Sequence, residues 1–182
     1  MGQAYEIKTE LDNLQRLNGQ LSSYYHAFST CNIVTDQSHL NQIMQNIDLP
    51  QLGIIVLTKR NTLHEVRKAT KYEERLDYKT IFKILRKYEF ESILKKNFGF
   101  LPQVNDFQYY DACFQLFKQL NILQAQQEML YKLKQRRTLD ISNIKRFNEV
   151  PIEIKSLIYF SNYTENKFKQ LSQFLTKKPG DE

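Results

Sequence analysis

Four cations, Lys132, Lys134, Arg136 and Arg137, fall within six consecutive positions. A cluster this dense can grip a sugar-phosphate backbone without reading its sequence, because each neutralised phosphate releases counterions. In an extended strand Lys132 and Lys134 share a face, with Leu133 on the other. The same lysines would also suit a solvated strand edge, where they discourage aggregation, but phosphate contact is the preferred reading. A second cationic set, Lys79, Lys83, Arg86 and Lys87, recurs at helical spacing. It can extend the grip, although a charged outer face is also the ordinary state of an amphipathic helix. A third set, Gln108, Gln115 and Lys118, lies on the predicted exposed side of a helix over 105–120. Gln and Lys can meet bases or phosphates, whereas Asp106 and Asp111 would repel a duplex. That helix face suits DNA or a protein partner.

Other chemistry finds little support in the residue order. His26, His39 and His64 are scattered, with no metal-ligand spacing among them. The five glycines frame no Lys-Ser/Thr, so no phosphate-cradling loop is expected. Cys31 and Cys113 lie far apart among apolar neighbours and read as buried free thiols in a reducing compartment. The expectation is a non-enzyme with no catalytic residue, no cofactor and no metal. No apolar run approaches the length of a membrane span, and residues 1–10 lack the apolar core of a signal peptide.

The elements that would carry the cations follow from composition and periodicity. With 41% hydrophobic and 25% charged residues but only 5 Gly and 4 Pro, the 182-residue chain reads as folded and helix-rich. Charge is uneven: residues 1–58 carry a net of −3 and residues 131–178 a net of +7, which places the positive potential late. Ile7, Leu11, Leu14, Leu17, Leu21, Tyr25 and Phe28, at spacings of three and four, predict one long helix over 5–28. Thr35 or Asp36 would cap a second helix with Leu40, Ile43, Met44 and Ile47 inward. Pro50 would open a third; Ile54-Ile55-Val56-Leu57 suits a strand equally well, and helix is chosen for the charged continuation at Lys59 and Arg60. Residues 61–76 read as a frayed end and a loop.

Asp77 caps a helix with Ile81, Phe82, Leu85 and Tyr88 inward, Ile93 and Leu94 continue it, and Gly99 and Pro102 end it. Asn105 or Asp106 caps the next, with a stripe of Phe107, Tyr110, Cys113, Phe114, Phe117 and Leu120. A strand pair is expected at 122–125 and 129–134. Short helices follow near Ile141 to Phe147, Pro151 to Phe160 and Phe168 to Phe174.

This helix-helix-helix-hairpin order is the cadence of a winged-helix domain. The run from Leu49 to Lys59 (LPQLGIIVLTK) resembles the opening of the C-terminal winged-helix domain of subunit four of the origin recognition complex. Leu76 to Phe82 looks like that family's second helix, Phe107 to Leu123 like its third helix and following strand, and Met129 to Leu133 like its wing. The first two helices, with Val34-Thr35-Asp36 leading into the second, are similar to the end of an AAA+ lid. The resemblance implies a mainly α fold: a lid-like segment at 1–48, a winged-helix domain with C-terminal helices at 49–176, and a loose tail at 177–182. It implies a nuclear subunit contacting duplex DNA and neighbouring origin-recognition subunits in replication initiation. The alternative is a scaffold that binds proteins and not DNA.

Overall fold

Ala4–Lys8 is a strand, β1, and not the start of a helix. The computed structural model describes residues 2–136, 150–155 and 165–176. It corrects the mainly α expectation to a mixed α/β fold. After β1 come α1 (Leu17–Tyr25), β2 (Cys31–Asp36), α2 (Leu40–Asn46), β3 (Gly53–Leu57) and β4 (Leu63–Arg67). The sheet order is β1-β2-β3-β4; β1, β2 and β3 are parallel, and β4 returns antiparallel on β3. Register places Glu6 beside Ile33 and Ile33 beside Ile54, with Lys8, Thr35 and Val56 forming the next row on the same face.

The long apolar stripe over 5–28 therefore belongs to two elements. Leu17, Leu21 and Tyr25 of α1 do face a core, joining Ile43 and Ile47 against Cys31, Ile33 and Ile54. Ile7 instead points away and is 68% exposed. Thr35 and Asp36 end a strand and cap nothing, and Met44 is half exposed. The apolar run Ile54 to Val56 resolves as a parallel-type central strand, for which uninterrupted hydrophobicity is normal. The loop expected at 61–76 contains β4, joined to β3 by a turn in which Asn61 adopts φ 57.

The helical half of the first unit comprises α3 (Tyr78–Ile84), α4 (Lys87–Phe98), α5 (Asp106–Phe117) and α6 (Ile122–Gln135). Asp77 caps α3 as its sequence suggests, its carboxylate accepting from the Thr80 amide at 2.7 Å. That bond satisfies a donor the helix cannot satisfy itself. Asp77→Ala is expected to cost about 1 kcal/mol in a urea unfolding titration, and Asp77→Asn to cost less. The helix does not run on into 93–94: Leu85 and Arg86 are extended, and α4 starts afresh, leaving Tyr88 exposed rather than inward. Gly99, at φ 82, ends α4 in the left-handed conformation that glycine adopts without penalty. Asn105 caps α5, whose Cys113 and Phe117 are buried as expected, while Phe107 is 98% exposed.

No winged helix forms among the described residues. The residues expected as its two strands, 122–125 and 129–134, are one continuous helix, α6, with Ala125 and Met129 buried one turn apart. Hydrogen bonds tie this half to the sheet half: the Gln126 side chain donates to the Ala27 carbonyl at 2.8 Å, and the Asp77 amide to the His26 carbonyl at 2.9 Å. Residues 1–135 make one compact unit. A second unit covers 136–182, in which residues 152–155 are helical and α7 spans Glu165–Thr176, with Phe168 and Val150 packed together. The helix expected at Ile141 to Phe147, most of the one from Pro151 to Phe160, and the tail at 177–182 lie outside the described residues. Cys31 and Cys113 are buried free thiols. No described helix is long and apolar enough to cross a membrane.

Candidate functional site

The cations singled out from sequence that lie in the first unit are distributed over several helices. Lys132 and Lys134 lie on α6, where residues two apart diverge around the helix instead of sharing a strand face. Lys132 Nζ donates to Ser92 Oγ at 2.9 Å. Arg136 belongs to the second unit, and Arg137 lies outside the described residues. The stripe Lys79, Lys83, Arg86 and Lys87 is split by the break between α3 and α4. Arg86 reaches the Tyr88 hydroxyl, and Lys87 sits 5.2 Å from the Tyr109 ring centre. Gln108, Gln115 and Lys118 are exposed on α5, Lys118 over Phe114. Three of these residues do converge: Lys79, Lys83 and Gln115 line one depression between α3 and α5.

A different constellation, which the sequence reading missed, occupies the carboxyl end of the parallel strands. Strand β1 alternates in an inverted sense. Tyr5 and Ile7 face out, while Ala4, Glu6 and Lys8 face the helices, each nine-tenths or more buried. Charged side chains are almost never so buried unless paired. Here Lys8 Nζ stands 3.0 Å from Glu6 Oε1. The other carboxylate oxygen, Oε2, accepts from the Tyr24 hydroxyl of α1 at 2.6 Å. The hydrogen bond to Glu6, followed by burial, raises the Tyr24 hydroxyl to about 12, so it remains a donor at neutral pH.

Two further groups in this region have unused capacity. Thr35, level with Lys8 on β2 and 2% exposed, has no hydrogen-bond partner for its hydroxyl. Gln20, one turn before Tyr24 on α1, has a buried carbonyl oxygen likewise unpartnered. Buried polar atoms are usually satisfied by protein or ordered water, so these two retain hydrogen-bonding capacity that no described side chain takes up.

The rim is polar and ordered. Asp12 accepts from the Thr9 amide at 2.7 Å and the Thr9 hydroxyl at 2.8 Å. Those bonds, and then the charges of Lys8 and His39, hold its carboxyl below the usual range. Asp36 accepts from Ser38 and lies 3.4 Å from His39 Nδ1. Among the described residues no three His, Cys, Asp or Glu converge as a metal cluster. The sequence signal that could have found this site was the tetrad Tyr5-Glu6-Ile7-Lys8, whose period of two is a strand's. It was masked because its buried members are the charged ones.

Fold and site together define an α/β protein with a buried Glu6–Lys8–Tyr24 cluster between its first strand and first helix, followed by a helical half. The chain belongs to the family of bacteriophage P4 protein cII, whose family model matches residues 2–161. No curated protein and no solved structure matches the chain. The family match overturns the likeness to an origin-recognition subunit, and with it the AAA+ lid, the origin-recognition partners and the nuclear setting. The likeness rested on short runs such as 49–59 and 107–123; the first of these forms β3 and the second spans α5 and the start of α6.

Proposed function

We propose that the protein is a divalent-cation-dependent hydrolase of phosphodiester bonds, with Glu6 as cation ligand and Lys8 as the charge that stabilises the reacting phosphoryl group. This replaces, as a proposal, the non-catalytic expectation drawn from sequence. The observation that carries it is the Glu6–Lys8 pair, nearly closed from water on one strand face, with the unpartnered Thr35 hydroxyl level with Lys8 on β2. As a purely structural device such a pair is poor: the desolvation of both charges consumes most of the Coulombic gain.

Glu6 is a single carboxylate with Lys8 on one oxygen and Tyr24 on the other, so a cation would have to displace the Lys8 ammonium from Oε1, and magnesium makes a smaller demand on protein ligands than zinc does. Magnesium is ordinarily held by one or two carboxylates and completes its shell with water and substrate phosphates, whereas zinc wants three or four protein ligands. A cation on Glu6 would polarise the phosphoryl oxygen and acidify a bound water. Hydrolysis there would add water across a phosphorus–oxygen bond, one proton going to the leaving oxygen and the other leaving with the phosphate product, with Glu6 as the residue that would hold the cation and Lys8 offsetting charge on the phosphoryl oxygens. Tyr24 is a positioning residue, because its hydroxyl fixes the Glu6 carboxylate. The formal charge of +6, carried by residues after 58 rather than by the net −3 segment that holds Glu6, favours a polyanionic substrate such as nucleic acid gripped by the later part of the chain.

The test is cleavage of end-labelled oligonucleotides by the purified chain with magnesium or manganese. The expected result is cleavage that EDTA abolishes and added magnesium restores. Failure of the wild-type chain to cut single- or double-stranded DNA or RNA with either ion would sink the reading.

A further inference from the structure

A second feature stands in the helical half, well removed in sequence from Glu6 and Lys8. Helices α3 and α5 leave a depression of about 350 Å³ between them. Lys79 and Lys83 come from α3, and Tyr110, Asp111 and Gln115 from α5, with Phe82 and Phe114 completing the lining. Lys79 and Lys83 are four residues apart on one helix face, about 6 Å along the axis. Both are exposed, and neither makes a hydrogen bond or ion pair among the described residues. Tyr110 is 46% exposed, yet its ring is braced by Phe82 at 5.1 Å and Phe90 at 6.0 Å, both in edge-to-face geometry. A half-exposed aromatic held this firmly loses little freedom on binding, which makes it a good platform.

We infer that this groove binds single-stranded nucleic acid, with a base stacked on Tyr110 and backbone phosphates on Lys79 and Lys83. A braced aromatic beside a pair of free cations is the arrangement by which unpaired strands are held. Charge complementarity favours this occupant over an apolar peptide, since the rim offers two ammonium groups against the single carboxylate of Asp111. Asp111 repels phosphate of either form, so what favours an unpaired strand is the open ring face and the base edges that only an unpaired strand presents. Asp111 does not oppose an extruded base, because a carboxylate can accept from an exocyclic amino group and the Gln115 amide can both donate and accept. The inference supplies a substrate class for the proposed hydrolase but does not depend on it, because the groove shares no residue with the Glu6 site.

The experiment is fluorescence anisotropy of a labelled mixed-sequence 15-mer in EDTA, so that binding is read without cleavage. The wild-type chain is expected to bind the single strand at least tenfold more tightly than the duplex of the same sequence. Tyr110→Ala should weaken binding about tenfold, and Tyr110→Phe should restore it, since stacking needs the ring and not the hydroxyl. Lys79→Glu with Lys83→Glu should weaken binding further and flatten the dependence of log affinity on log salt by about 1.4. Both lysines are exposed, so that variant should fold, with an unchanged circular dichroism spectrum as the check. Equal affinity for duplex and single strand, or wild-type binding by both variants, would overturn the inference. If binding follows this pattern while the wild-type chain cuts nothing with added magnesium, the groove stands and the hydrolase reading alone fails.

Discussion

Glu6→Gln protein is expected to lose magnesium-dependent cleavage by about 10³-fold in kcat, and to lose cation binding measured directly by manganese paramagnetic resonance. The side chain keeps its shape and can still accept from the Tyr24 hydroxyl, so the loss would come from the missing charge and not from a collapsed site. Lys8→Met should behave differently. It removes the ammonium 3.0 Å from the carboxylate but leaves the carboxylate in place, so manganese still binds while kcat falls about 10²-fold. That split between binding and turnover is what separates a cation ligand from a charge acting on the phosphoryl group. A structural ion pair predicts no such split.

Stability gives a second, independent reading of the same pair. Glu6→Gln leaves the Lys8 ammonium buried beside a neutral amide, which should cost about 2 kcal/mol in urea unfolding. Adding Lys8→Met removes the stranded charge, and the double variant should return to within about 1 kcal/mol of the wild type, because a buried pair is often replaceable by apolar groups. Recovered stability with no recovered cleavage would show that the pair is retained for chemistry. A double variant far less stable than either single variant would mean that the pair holds the sheet edge together, and the catalytic argument would lose its basis.

Glu6 was hard to see in the sequence for a reason the structure makes plain. Periodicity methods assume that the apolar members of an alternating strand face inward. In β1 Ile7 faces outward and Glu6 inward, so Ile7 could be recruited into a helical stripe with Leu11 and Leu14 that the chain does not form. The intervening Asp12 and Asn13 are turn formers, and each does accept a local backbone hydrogen bond there. The cap at Asp77, the stop at Gly99 and the cap at Asn105 were legible, because a carboxylate, a left-handed glycine and a side-chain amide act through neighbours within a few residues. The sheet was not. Pairing of Ile33 with Ile54 depends on residues more than twenty positions apart, and Ile54 to Leu57 is apolar enough to suit either element. The hairpin expected after Leu120 was an error of a different kind. Gln126, Gln127 and Glu128 contain no turn residue, and Ala125, Met129 and Leu133 recur every four residues as a helix requires. The short apolar runs on either side of that polar segment suit strands as well as a helix, which is why they read as a strand pair. Of the candidate sites, the sequence supplied Lys79, Lys83 and Gln115 of the α3–α5 groove but none of the sheet-edge pocket.

The largest stability effect in the chain is expected at Phe82. Its ring is 1% exposed and lies within 5.3 Å, centre to centre, of four others: Phe90, Tyr110, Phe114 and Phe117. Those four come from α4 and α5, so Phe82 of α3 is the point where three helices meet. Phe82→Ala should cost about 4 kcal/mol, the sum of lost transfer energy and a cavity that rigid aromatic neighbours cannot close. Phe82→Leu refills most of that volume and should cost clearly less. Urea unfolding followed by tyrosine fluorescence and by circular dichroism tests both. The form of the transition carries further information. The Gln126 bond to the Ala27 carbonyl and the Asp77 bond to the His26 carbonyl cross between the halves of the first unit, so residues 1–135 should unfold with the two probes superimposed. Two separated transitions in Phe82→Ala, with the sheet outlasting the helices, would show that the halves fold independently. Cleavage should then survive at urea concentrations where binding in the α3–α5 groove is already lost, since Glu6 and Lys8 draw their burial from α1 and β2 rather than from α3.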